Sequence, residues 1–172
     1  MRHILGFYRY NSDVRKRYSD AIEKLPWERI IKNRGASYPS IRDVFLHVLD
    51  AYRYWFQYAI NGLRVREYKD ADPETFTNVD AIRKYEREVD AMVMSLLQNL
   101  REEDLSMVYT IYSVDEGDNE VFQRTMESIL MHMIEEELQH RGELNCMFWQ
   151  DDVDPPVTGY TVWLEEREGR GV

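Results

Sequence analysis

The sequence has few of the features that mark secreted or membrane-spanning proteins. It holds a single cysteine, Cys146, which excludes an internal disulfide framework. No apolar run approaches the roughly 20 residues that a membrane-spanning helix needs. The first ten residues lack both the apolar stretch and the small-residue cleavage site of a secretory signal. We therefore predict a cytoplasmic protein with no membrane partner.

Positive charge is also scarce. The chain has 22 lysines and arginines against 32 aspartates and glutamates, which gives a formal net charge of −10. Such a surface repels phosphate backbones unless it carries a separate basic patch. The one dense basic cluster, residues 15–17, is flanked by Asp13 and Asp20. We predict no nucleic-acid partner.

Amphipathic helices dominate what the sequence does contain. At 172 residues the chain fits a single domain, residues 1–172. Apolar residues recur at helical spacing in four segments. The predicted N-caps are Asn11 or Ser12, Ser40, Asn78 and Thr125, and the predicted ends lie near Leu25, residues 61–62, Leu100 and Trp149.

The connection before the last helix changes period. Val108–Tyr112 is β-branched and aromatic, and residues 121–122 follow a turn sequence at 115–119. This pattern predicts a short β-hairpin. The expected fold is all-α, a four-helix bundle with this long connection before the last helix.

Residues 135–143, in the last predicted helix, are the most distinctive stretch. On a wheel of about 100° per residue, His140 lies inside the apolar arc and Glu136 lies at its edge. An ionised carboxylate beside apolar surface is costly unless it is paired, and a divalent cation removes that cost. Residues at i and i+4 can share one ion. His132 is about 12 Å from His140 along the axis, so the pair is either 132/136 or 136/140, and the wheel favours Glu136 with His140.

His47, on the second predicted helix, is the candidate for a third ligand. Two imidazoles and one carboxylate suit zinc, nickel, iron or manganese and leave positions open for water or substrate. Partner side chains should orient the imidazoles, and Asp43 and Asp50, one turn to either side of His47, are candidates for this role. Tyr54 and Tyr58 are candidates for a pocket wall, although packing in the core explains both as well.

Each of these residues also has a plainer interpretation. A histidine on a mostly apolar helix is more often a hydrogen-bonded core residue than a ligand. The Glu-rich run at 135–137 is by default a solvated face, with Arg141 pairing Glu137 at i+4. Cys146 lies off the apolar face and is expected to be structural.

Two stretches resemble a known family. Residues 131–144, followed by Pro155, Pro156, Tyr160 and the Trp163–Leu164 pair, resemble the C-terminal signature of the DinB/YfiT-like superfamily. Residues 45–49 resemble the helix-two motif of that superfamily. The resemblance implies a four-helix bundle, a metal held by three histidines and frequent homodimers.

The histidines of that family fall on His47 and His140, but the middle one falls on Glu136. This departure either converts the site to two histidines and a carboxylate or abolishes metal binding, and the buried face favours conversion. His132 matches a further histidine of the motif. The resemblance implies a thiol-cofactor-dependent transferase or isomerase. The predicted function is a metal-dependent enzyme acting on a small-molecule substrate, either thiol transferase-like or hydrolase-like. The alternative is a non-catalytic stress-response or partner-binding bundle.

Overall fold

Four long helices form the body of the protein, and a two-stranded hairpin precedes the last of them. The structure is a computed structural model that describes residues 2–60, 68–112 and 121–169. Its helices are α1 (Arg2–Ile22), α2 (Trp27–Ile30), α3 (Ile41–Arg53), α4 (Val79–Asn99), α5 (Met126–Trp149) and α6 (Tyr160–Arg167). A π-helical stretch, Tyr54–Ala59, continues α3, and short 3₁₀ helices lie at Pro73–Thr75 and Glu102–Ser106. Strands β1 (Val108–Tyr112) and β2 (Val121–Thr125) pair antiparallel, with Val108 opposite Thr125. The predicted helical bundle with a hairpin before its last helix is confirmed.

Three of the four predicted helix starts are confirmed, because each rests on a side chain that caps backbone amides. The side chains of Ser40, Asn78 and Thr125 accept hydrogen bonds from the amides of residues 43, 81 and 128. These bonds satisfy donors that have no partner inside the helix. The caps therefore fix where α3, α4 and α5 begin.

The predicted start of the first helix is wrong. α1 begins at Arg2, so Asn11 and Ser12 lie in its middle and are buried there. Asn11 accepts a hydrogen bond from Arg141, and Ser12 donates one to Asp90. Residues that cap helix ends can also bind neighbouring helices, and spacing does not separate the two uses.

α3 lies at the centre of the packing and contacts both α4 and α5, and α1 also packs against α4 and α5. The short helix α6 packs on α1, where Trp163 donates a hydrogen bond to Asp13 at 2.8 Å.

The predicted turn at 115–119 and the predicted helix end at 61–62 lie outside the described residues. Within the described ranges, none of the helices has the length and hydrophobicity to span a membrane.

A buried ionic cluster joins α1, α3 and α5. Glu137 is only 3% exposed and accepts hydrogen bonds from Tyr52 at 2.6 Å, from Arg141 at 3.0 Å and from Arg15. Arg15 also pairs with Asp90. The default interpretation of 135–137 as a solvated face is therefore wrong at Glu137, although the predicted Arg141–Glu137 pair is present. The reason is that two arginines from different helices neutralise this carboxylate inside the bundle.

Candidate metal centre

Three predicted ligands from two helices meet at one point. The Nε2 atoms of His47 and His140 each lie 3.1 Å from Oε1 of Glu136. The two imidazole rings are 4.6 Å apart and nearly perpendicular. The structure thus brings together the residues that the sequence singled out.

The convergence follows from local structure. Glu136 and His140 are one turn apart on α5, so their side chains point the same way. His47 is in the second turn of α3, whose start is fixed by the Ser40 cap, and α3 packs directly against α5. His140 is buried, whereas His47 and Glu136 are half-buried and face a cavity.

The environment favours the protonation states that a metal requires. Burial lowers the pKa of His47, although the hydrogen bond to Glu136 opposes this shift. Burial alone would raise the pKa of Glu136, but the hydrogen bonds and charges of the two histidines outweigh it and lower that pKa. The result at neutral pH is an ionised carboxylate beside an imidazole that tends to be neutral, which is the ligating form of each.

The hydrogen-bonding capacity of His140 tests whether a cation fits the site. Its Nδ1 lies 3.0 Å from Oε2 of Glu143, and its Nε2 faces Glu136. A neutral imidazole has one N–H and one lone pair, so it can donate to only one of these two carboxylates. A cation between Nε2 and Glu136 would satisfy both sides, with the single N–H donated to Glu143.

The same question arises at His47. Its Nε2 lies 3.0 Å from the hydroxyl of Tyr38 as well as 3.1 Å from Glu136. If Nε2 carries a lone pair, that lone pair faces the negatively charged oxygen of Glu136. If Nε2 carries a proton, the hydroxyl of Tyr38 cannot donate a hydrogen bond to it. The three ligand atoms all lie within 4.8 Å of one another, a spread that ligand bonds of about 2.0–2.2 Å can span. The donor set therefore fits a divalent metal ion.

His132 belongs to a second group. Its ligand atom and those of Glu135 and Glu136 also lie within 4.8 Å of one another. His132 and Glu135 are largely exposed, and all three residues of this group lie on α5 alone. Of the two pairs left open by the spacing, 136/140 is the one that His47 joins.

The residues that position the imidazoles differ from those expected. Asp43 bonds to Ser40 and Arg42, while Asp50 accepts from the amide of Ala71 and from the hydroxyl of Tyr85. Within the described part of the chain, neither aspartate hydrogen-bonds to His47. The expectation that they orient its ring is therefore wrong, because both are held by closer donors.

Tyr38 and Glu143 take that role, and sequence reasoning missed both. The ring of Tyr38 stacks on His47 at 4.0 Å, and Glu143 holds Nδ1 of His140. Glu143 is at i+3 from His140, a spacing that could have revealed it. Tyr38 lies in an irregular segment before α3, where periodicity gives no signal.

Two cavities flank His47. The larger, of about 570 Å³, is bounded by Tyr38, Arg42 and Leu46 among others. The smaller, of about 310 Å³, is lined by His47 and Glu136 together with the rings of Tyr54, Trp55 and Tyr68, and we call it the aromatic cavity. Tyr54 therefore lines a pocket, which is one of the two roles predicted for it. The side chain of Tyr58 lies outside the described residues.

Comparisons with known proteins agree with the fold. Residues 1–169 match the DinB family. An uncharacterised protein of Bacillus subtilis (strain 168), YizA, is 24% identical over 146 residues, which cover 83% of this chain and 84% of that protein. A crystal structure of a DinB-like protein from Bacillus cereus ATCC 10987 superposes with a TM-score of 0.67 at 16% identity, covering 91% of this chain and 96% of the other. This chain belongs to the DinB family.

Proposed function

We propose that the protein binds one divalent metal ion through His47, Glu136 and His140 and uses it in a reaction on a small molecule. The observation that carries the proposal is the set of three ligand atoms within 4.8 Å of one another. Two of the three residues, His47 and Glu136, line the aromatic cavity. Zinc, nickel, iron and manganese all accept two imidazoles and a carboxylate. The reaction class that fits is a transfer or a hydrolysis.

When bound, such an ion supplies Lewis acidity, which lowers the pKa of a water or thiol that coordinates it. The chain's own residues prepare the site for this. In the tautomer that carries its N–H on Nδ1, His140 donates to Glu143, and the lone pair of Nε2 is then directed at the centre. Burial raises the pKa of the Tyr38 hydroxyl, and the nearby charges of Glu136 and Glu143 raise it further. Tyr38 therefore stays protonated at neutral pH and can donate a hydrogen bond to a bound molecule.

Metal analysis of purified protein tests the proposal. The protein is stripped with EDTA, reloaded separately with each of the four ions, and assayed for metal by mass spectrometry after desalting. We expect about one equivalent in the wild type, and a large loss in His140→Ala and in the isosteric variant Glu136→Gln. Circular dichroism checks that the helices persist.

The discriminating variant is His132→Ala, which removes the histidine of the second group but leaves all three proposed ligands in place. It should retain the metal content of the wild type. If His140→Ala also retained it, the proposed ligand set would be wrong. If the wild type bound none of the ions, the non-catalytic alternative would take its place.

A further inference from the structure

We propose that the aromatic cavity binds an organic cation, such as a quaternary ammonium group, on the molecule that the protein acts on. This assignment names the substrate class of the site and so rests on the proposed function. Three observations carry it: the arrangement of the rings, the local helix geometry that produces the arrangement, and the charge of the cavity wall.

The rings of the cavity meet at steep angles. Tyr54 lies 5.4 Å from Trp55 with an interplanar angle of 75°, and 5.2 Å from Tyr68 at 68°. Trp55 in turn lies 5.2 Å from His132 at 78°. Rings that meet edge to face form adjoining walls of a box. The face of an aromatic ring carries negative electrostatic potential, so such a box attracts a cation.

The lining residues of α3 and of its π-helical continuation share one helical face. His47, Asp50, Ala51, Tyr54 and Trp55 recur at i, i+3, i+4, i+7 and i+8, the spacing that puts side chains on one side of a helix. Tyr54 and Trp55 stand at the point where α3 gives way to the π-helical stretch Tyr54–Ala59. π-Helical turns are rare and occur frequently at functional sites. Burial raises the pKa of Tyr54 and of Tyr68, so their rings remain neutral phenols at physiological pH.

The charge of the wall has one sign. Asp50, Asp70 and Glu136 line the cavity, and no lysine or arginine among the described residues does so. Arg53 is nearby, since its guanidinium lies over the ring of Tyr68 at 5.1 Å and its Nε lies 3.7 Å from Asp50. Arg53 therefore compensates Asp50.

Asp70 is different, because it is exposed and has no ion pair within the described ranges. Among the described carboxylates that line the cavity, that of Asp70 is available to balance a positive ligand. An anionic molecule would have to approach this charge, on a chain whose formal net charge is −10. A neutral molecule would form no ion pair with the carboxylate and would gain no cation–π attraction from the ring faces.

Three probes of matched shape test the assignment by isothermal titration calorimetry. Choline is the cation, 3,3-dimethylbutan-1-ol replaces its nitrogen with carbon, and 3,3-dimethylbutanoate is the anion. We expect choline to bind at least about tenfold more tightly than the alcohol and the anion to give no detectable heat. Equal affinity for choline and the alcohol would overturn the proposal.

Two variants locate the binding. Asp70→Asn removes the free charge without changing shape, and Trp55→Leu removes a ring face. Each should weaken choline binding about tenfold while leaving the weak binding of the alcohol within a factor of about two. The controls are Asp154→Asn and Trp149→Leu, which change an exposed aspartate and an exposed tryptophan that do not line the cavity. Choline binding that survived both test variants would show that the cation binds elsewhere.

The titrations are run on metal-loaded protein, on EDTA-treated protein and on His140→Ala, whose changed residue does not line the aromatic cavity. Selective choline binding in all three would support the cation site even if the metal assay failed. Metal loading without selectivity for choline would overturn the cation site and leave the proposed function standing. Asp70 is exposed, so Asp70→Asn reports on the site even if Trp55→Leu does not fold.

Discussion

Replacing Glu137 with glutamine should destabilise the protein more than any other single carboxylate-to-amide change on α5. Glu137 is buried between two guanidiniums and also accepts from the hydroxyl of Tyr52. Glutamine keeps the size of the side chain but removes its charge and supplies only one acceptor oxygen. Arg141 would be left with little compensation, because its Nε and Nη1 are already buried without a hydrogen-bond partner among the described residues.

The magnitude follows from the cost of breaking a buried ion pair by removing one partner, which is about 3–5 kcal/mol. For a chain of this size, about 1 kcal/mol lowers Tm by roughly 2–4 °C. Glu137→Gln should therefore lower Tm by about 6–20 °C. Urea unfolding followed by circular dichroism would measure the same loss as a lower midpoint.

Glu135→Gln is the matched control, since it makes the same chemical change two residues away on the exposed side of α5. Exposed substitutions of this kind usually change the free energy of unfolding by no more than about 0.5 kcal/mol. The reasoning would be refuted if the two variants had the same stability. That result would mean that the buried cluster contributes no more than a solvated glutamate does.

Three further predictions concern stability and the metal. Burial raises the pKa of Glu86, so the folded state disfavours the charged form of this side chain. Glu86 therefore favours folding most at a pH below its pKa in the unfolded chain. This contribution to stability is lost as the pH rises through the pKa of the folded state. In urea titrations, Glu86→Gln should thus be more stable than the wild type at pH 7 and lose that advantage near pH 4. The control is Glu88→Gln, which changes an exposed glutamate of the same helix. A Glu86→Gln variant less stable than the wild type at pH 7 would contradict this reasoning. Zinc at about 100 times its Kd should raise the free energy of unfolding by about 2.7 kcal/mol in calorimetric melts, and no rise should occur in His140→Ala. Ser40→Ala should cost about 1 kcal/mol through loss of the α3 cap, and an unchanged Tm would show that this cap adds nothing.

The sequence predicts the structure best where a single residue determines the local backbone, as a helix cap does. A cap residue such as Ser40 or Thr125 acts on amides two or three positions away, so its effect is visible in the sequence. The i/i+4 spacing of Glu136 and His140 is equally local. Asn11 shows the limit, because its partner Arg141 is 130 residues away, and nothing within α1 reveals that pairing.

The centre itself could be predicted only in part, for the same reason. Periodicity placed His47 on a helix with a buried face, and the helix wheel placed Glu136 and His140 at the inner side of another. Periodicity cannot give the position of Tyr38, which precedes α3 in an irregular segment, or the change from α-helix to π-helix at Tyr54. Both depend on how the chain packs after the helices have formed. The metal ligation predicted for the three residues stays a prediction until it is measured.

The two neighbouring carboxylates of α5 show why composition misleads at this helix. On the wheel with Glu136 at zero, the buried residues of α5 run from about 20° to about 160°, and Glu137 lies near the middle at about 100°. The apolar residues of α5 alone span this arc, so the wheel places Glu137 and Arg141 inside it, and only their charge suggests a surface position. Glu136 lies just outside the edge of the buried arc, where the two imidazoles contact it beside a cavity. One carboxylate thus serves the stability of the bundle and its neighbour serves the candidate centre. Glu137→Gln should lower Tm without removing the metal ligands, and Glu136→Gln should remove metal at little cost in Tm for the metal-free protein.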